Sequence, residues 1–139
     1  MLHGPILGSL TTAFVALSAC AGTGPVSKTG AVTQGDHALS YMGIQTVLLQ
    51  DDMVSFRVAL QGAGGDDAVE AYGRCAAAQY ALIRGYGFAR HVRTTVAQTG
   101  QTWRGDAVYL ISAALPPGLR TIDAEVTVRD CGALGIPTI

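Results

Sequence analysis

The sequence predicts an α+β fold: a two-layer sandwich with one helix packed on one face of an about five-stranded, mainly antiparallel sheet, in the order ββαβββ. Three observations lead there. Residues 53–61 alternate with a period of two, placing Val54, Phe56, Val58 and Leu60 on one side and Ser55, Arg57 and Gln61 on the other. Residues 67–85 instead carry apolar side chains at helical spacing, with Val69, Tyr72, Ala76, Tyr80 and Ile83 on one stripe. Residues 121–129 alternate again, Ile122, Ala124, Val126 and Val128 against Asp123, Glu125, Thr127 and Arg129.

The remaining elements follow in order. Residues 42–49 read as a first strand, joined to the second through a turn at Asp51-Asp52. That turn lacks the Asn-Gly or Asp-Gly pair that would define its type. Gly62-Ala63-Gly64-Gly65 leads into the helix, where Asp67 is the expected cap and Glu70 its capping-box partner. Gly85 ends the helix, since glycine adopts the left-handed conformation a helix terminus favours. Tyr72 and Tyr80 read as core residues with a wet hydroxyl. Residues 88–96 form the next strand, and residues 98–105, with Trp103, a hairpin connection. Residues 106–115 are apolar on both parities, as in a central strand covered on both sides. Pro116-Pro117-Gly118 breaks the chain before the last strand.

Ahead of this domain, residues 5–19 are uncharged and largely apolar. The run is shorter than the roughly 20 residues a membrane span needs, but suits the apolar region of a secretory signal. It ends in Leu17-Ser18-Ala19-Cys20, which resembles the bacterial lipobox. The resemblance implies that the Cys20 thiol receives a diacylglycerol, that residues 1–19 are cut away as a signal peptide, and that the new amino group is acylated, for instance by palmitate. A basic residue should precede the apolar region, yet only His3 does. The expectation is therefore either a basic leader ahead of Met1 or a charge supplied by the amino terminus itself. A plain cleaved signal and a buried N-terminal helix are the competing readings, and Pro5, Gly8, Thr11 and Thr12 argue against the helix. Ala21, rather than Asp, follows the cysteine, which in enteric-type sorting resembles an outer-membrane destination facing the periplasm. Residues 20–37, rich in Gly, Thr and Ser, are then the lipidated Cys and a flexible tether, and residues 38–139 a single globular domain.

Composition narrows the chemistry. A net charge of −1 provides no general basic surface for nucleic acid. Of three cysteines, assigning Cys20 to the lipid leaves Cys75 and Cys131, a pair expected to form a disulfide in an oxidising compartment, with two separate buried thiols as the alternative. Closing that loop is worth about 4 kcal/mol by loop-closure entropy. His37, His91, Cys75 and Cys131 lack zinc-site spacing. The glycine loop lacks the Lys-Ser/Thr of a phosphate loop, and Asp66 and Asp67 would repel an anion there. The sequence thus assigns no catalytic residue, metal or cofactor.

One segment stands apart in charge. Arg84, Arg90, His91, Arg93 and Arg104 follow one another with no acidic residue between them. They form a candidate anion-contact patch for an envelope protein, an anionic wall polymer or anionic lipid. Strict alternation puts His91 and Arg93 on one face and Arg90 with Phe88 and Val92 on the other. The competing expectation is that Asp123 and Glu125 pair with these arginines across the sheet.

The segment Arg74-Cys75-Ala76-Ala77-Ala78-Gln79-Tyr80-Ala81, followed by Gly85-Tyr86-Gly87-Phe88, resembles a group of small proteobacterial envelope lipoproteins of unknown function. The resemblance implies an envelope lipoprotein and carries no activity. The reading that results is a membrane-anchored lipoprotein with a structural or binding role rather than an enzyme. The alternative is an envelope enzyme or small-ligand-binding protein using a sheet face around Arg93, Tyr109 and Ile111, for which a concave pocket with converging polar groups would speak. A third expectation is self-association through Tyr109, Ile111 and Leu115.

Overall fold

Two strands joined by a tight turn open the domain. The computed structural model describes Gly4 and residues 38–139; the expected signal peptide, Cys20, the tether and His37 lie outside the described residues. Strand β1 (Ser40–Leu48) pairs antiparallel with β2 (Met53–Gln61) through a turn in which the Met53 N–H donates to the Gln50 carbonyl at 2.9 Å and Asp51 takes a φ of 52°. Helix α1 (Gly65–Ile83) follows, then β3 (Phe88–Thr99), β4 (Thr102–Ser112), β5 (Thr121–Asp123) and helix α2 (Ala124–Leu134). The sheet order is β1-β2-β4-β3-β5 and every pairing is antiparallel. This is the expected α+β sandwich on a five-stranded sheet, with β4 in the middle as its two-sided apolar pattern predicts.

The helical layer differs from the expectation in holding two helices. Only Thr121–Asp123 of the expected last strand is a strand, and the rest is α2. The reason is local. Asp123 accepts a hydrogen bond from the Val126 N–H at 3.0 Å, a helix N-cap. Helical spacing then gathers Ala124, Val128 and Cys131 on one face, leaving Val126, at 42% exposure, outside. Gly135, at φ 67°, closes the helix.

Helix α1 begins two residues before the expected Asp67. Its cap is Gly64, without a side-chain hydrogen bond, so Asp66 and Asp67 act only as favourable charges in the first turn. Its end is as expected. The Gly85 N–H donates to the Leu82 carbonyl and the Tyr86 N–H to that of Ala81, a Schellman closure with Gly85 at φ 77°. Ile83 is the exception on the predicted stripe and stands 62% exposed; Gly73, Cys75, Ala77, Ala78 and Ala81 are buried instead. The helix buries this wider arc because α2 packs against its flank, and the Cys75–Cys131 disulfide joins the two helices with a Cα–Cα distance of 6.0 Å.

Against the sheet, α1 covers Val54, Phe56, Val58 and Leu60 of β2 and Ala107, Tyr109 and Ile111 of β4. Phe56 is fully buried and meets Tyr80 and Tyr109 edge-on, at centroid distances of 5.7 and 6.3 Å. Two glycines set how close the layers come. A Cβ at Gly73 would lie 2.6 Å from the Ala107 Cβ, and one at Gly105 would drive into the Val69 side chain.

Candidate functional site

The sheet has two faces, and the sequence-predicted patch is divided between them. A bulge at Val92 shifts the register of β3, so that His91 pairs with Tyr109 and Arg93 with Val108. Val108 and Tyr109 point to opposite faces. His91 and Arg93 therefore do not share a face, as strict alternation requires; Arg90 and Arg93 do. Arg104 joins them on the face away from the helices, while Arg84 sits at the end of α1, where it donates to the Tyr80 hydroxyl at 2.9 Å.

On that open face, cross-strand rows can be read from the register. Gln45, Arg57, Asp106 and Thr95 form one row, and Gly43, Ala59, Arg104 and Ala97 the next. Ser55 donates to one Asp106 oxygen, while Arg93 donates to the other at 3.2 Å and to Thr95 Oγ1 at 3.1 Å. The Ser55 hydroxyl, seconded by Arg93, holds the Asp106 carboxyl below its ordinary value against the opposing effect of burial. The small side chains of Gly43, Ala59 and Ala97 leave a groove of about 650 Å³ that Arg57 and Arg104 flank. Among the described residues neither arginine meets a carboxylate within ion-pairing distance. Nearby, Arg90 passes close to Gly118, its Nε buried without a partner. Among the described residues, Arg57, Arg90, Arg93 and Arg104 thus share this face with Asp106.

The expected pairing of Asp123 and Glu125 with these arginines does not form. Asp123 is occupied in capping α2 and Glu125 lies in that helix's first turn. Asp106, which neighbours Arg93 across the β3–β4 pair, takes the role instead.

A second concavity, of about 340 Å³, lies on the helix side, lined by Glu70, Arg74, His91, Tyr109, Arg120 and Ile122. It is held together around His91. The backbone N–H of His91 donates to the Arg120 carbonyl at 3.0 Å, and an Arg120 guanidinium nitrogen lies 3.4 Å from His91 Nδ1. A guanidinium only donates, so Nδ1 is the acceptor and Nε2 carries the proton, which it shares with Thr94 Oγ1 at 2.7 Å. Burial, then the Arg120 charge, lower the His91 pKa and keep the ring neutral at pH 7. Arg120 reaches this position from a φ of 64°, a left-handed conformation costing a non-glycine residue on the order of 1 kcal/mol. Tyr109, its ring 5.1 Å from His91, is pushed up to about 12 by burial and stays a phenol.

Tyr109 and Ile111 are 4% and 2% exposed beneath α1, on the face opposite Arg93, and Leu115 lies beyond the end of β4 at 68% exposure. The sheet face expected around Arg93, Tyr109 and Ile111 is therefore not one surface, and Tyr109, Ile111 and Leu115 do not form an apolar contact face. Of the residues lining the helix-side cleft, Glu70, Arg74 and Arg120 were not legible as site residues. The four-residue spacing of Glu70 and Arg74 on one helical face is a signal for those two, while nothing local marks Arg120.

Among the described residues, no group of three or more His, Cys, Asp or Glu side chains is placed to hold a metal, and no helix is long and apolar enough to cross a membrane. An uncharacterised 26.9 kDa protein of Paracoccus denitrificans, described as lying in the nqo8 5′ region, is 32% identical over 87 residues, covering 63% of this chain and 34% of that protein. The chain thus spans about a third of the length of this curated relative. No solved structure matches. Residues 41–135, from within β1 to the glycine that closes α2, match the family described as YNQ4 C-terminal domain, and the chain belongs to that family.

Proposed function

We propose that this protein is a lipid-anchored component of the bacterial cell envelope with a binding role. In this reading residues 1–19 are a signal peptide, Cys20 carries the lipid, and residues 20–37 tether the domain to a membrane on the periplasmic side, the outer membrane by the identity of Ala21. The observation that supports export is the Cys75–Cys131 disulfide between α1 and α2. Such bonds persist in oxidising compartments, and this one leaves Cys20 as the single remaining cysteine, at the lipobox-like site. The binding surface is the open sheet face, where Arg57 and Arg104 flank the groove without carboxylate partners among the described residues. In this reading a tether of this length would hold the domain on the order of 20 Å from the bilayer. The partner that matches in charge and in reach is the anionic headgroup layer of the membrane itself.

Palmitate labelling in cells tests the anchor: the full chain takes up label and Cys20→Ser takes up none. Label retained by Cys20→Ser overturns the lipoprotein reading. For the face, Arg57→Glu with Arg104→Glu should reduce salt-sensitive binding of the protein to anionic vesicles several-fold. Unchanged vesicle binding, or binding to wall polymer in its place, overturns the headgroup assignment.

A further inference from the structure

We infer that the helix-side cleft between α1, β3 and β5 is a binding site for a small organic monocarboxylate. The site lies on the opposite side of the sheet from the open face and its argument uses no part of the anchor, so its failure and that of the envelope reading are distinguishable.

Its size comes first. At about 340 Å³ the cleft lies at the lower end of small-molecule sites, too large for a bare ion and too small for a polymer. The lining decides the chemistry. Arg74 reaches it from α1 and Arg120 from the segment before β5, and among the described residues neither forms an ion pair. Guanidiniums present paired N–H donors that match a carboxylate's two oxygens. Tyr109 adds a phenol that burial keeps protonated.

Charge then selects the anion. Two arginines against one carboxylate, Glu70, with His91 neutral, leave the cleft one positive charge in excess. That suits a monoanion, whereas a phosphate dianion would meet Glu70 at close range. Ile122 supplies an apolar wall for the body of the molecule. The arginine is also placed in advance. The Arg120 carbonyl receives the His91 N–H and its guanidinium faces Nδ1 at the cleft, from a backbone φ of 64°. Backbone departures of this kind gather where a side chain must be held for a ligand. His91 is a positioning residue here, since both its ring nitrogens are occupied by Thr94 and Arg120.

The test uses the full chain in detergent, titrated with isobutyrate and, in parallel, with inorganic phosphate and isobutylamine, and followed by amide and arginine side-chain NMR. Isobutyrate should give saturable shifts at Arg74, His91, Tyr109 and Arg120, tighter than phosphate, and the amine none. Arg74→Gln and Arg120→Gln should each weaken it at least tenfold. Tyr109→Phe, which keeps the buried ring, should weaken it several-fold, and Arg129→Gln, exposed on α2 and outside the cleft lining, should leave it unchanged. Shifts that do not saturate, phosphate binding more tightly than isobutyrate, or unaltered affinity in Arg74→Gln and Arg120→Gln would overturn the assignment.

Discussion

The two faces of one sheet are built on different physics. The covered face is held by volume: Val54, Phe56, Val58 and Leu60 lock against α1, with Gly73 and Gly105 letting the layers close. The open face of the same strands is held by charge and hydrogen bonds, with Ser55, Asp106, Arg93 and Thr95 linked in one chain. Neighbours in sequence thus fall under different rules. Gly105 admits no added methyl group, while Arg104 and Asp106 on either side of it project from the open face. The consequence is a division of labour. A face whose stability rests on packing cannot vary its side chains freely, whereas the open face can present guanidiniums to a partner without loosening the core.

The strongest way to break the covered side lies behind α1. Removing the disulfide as Cys75→Ala with Cys131→Ala should lower unfolding free energy by about 4 kcal/mol, since the bond closes a long loop. Urea unfolding checks this, and an unchanged midpoint would mean that α2 needs no covalent tie. The next test compares adjacent residues across the sheet. Gly105→Ala places a methyl group against Val69 and 3.0 Å from a Val58 methyl, and should cost about 1–3 kcal/mol. Arg104→Ala, one position away, should stay within about 0.5 kcal/mol. Equal effects at the two positions would erase the distinction between the faces.

How much of this was legible in the sequence follows the same division. Elements with an unambiguous burial pattern declared themselves: the alternation of β2, the double apolar parity of β4 and the Gly85 stop of α1 all reappear in the structure. Residues 121–129 misled because Ile122, Val126 and Val128 are β-branched and, with Ala124, fall on a period of two. Asp123, able to cap a helix, was the opposing signal, and tertiary contact with α1 decided the outcome. The arrangement of the site was less accessible. A single-residue bulge at Val92 reversed the facing of Arg93 relative to His91, and no composition or spacing rule announces a bulge. The cleft needed Arg120 and Arg74, which lie far apart in sequence and meet only through the antiparallel return of β5 onto β3.

The smallest effect sharpens the comparison most, because it isolates the acid response of the open face: His91, lowered on the covered side, destabilises parent and variant alike as pH falls. Asp106 has its carboxyl pKa lowered in the folded state, first by Ser55 and then by Arg93, against the opposing effect of burial. Protons therefore bind more readily to the unfolded chain, whose aspartates titrate near about 3.9. The stabilisation is complete above that value and is lost as pH falls through the lower folded value. Because Arg93 and Asp106 are 53% and 35% exposed, solvent screening holds the contribution to about 0.5–1 kcal/mol. Asp106→Asn should be less stable than the parent by that amount at pH 7, and the gap should narrow progressively below pH 4. Added salt at neutral pH should narrow it too, as screening weakens the Arg93 pair. Urea midpoints of the two proteins at pH 7 and pH 3 read this directly. A gap that stays constant across the range would place the role of Asp106 in shape and hydrogen bonding rather than charge.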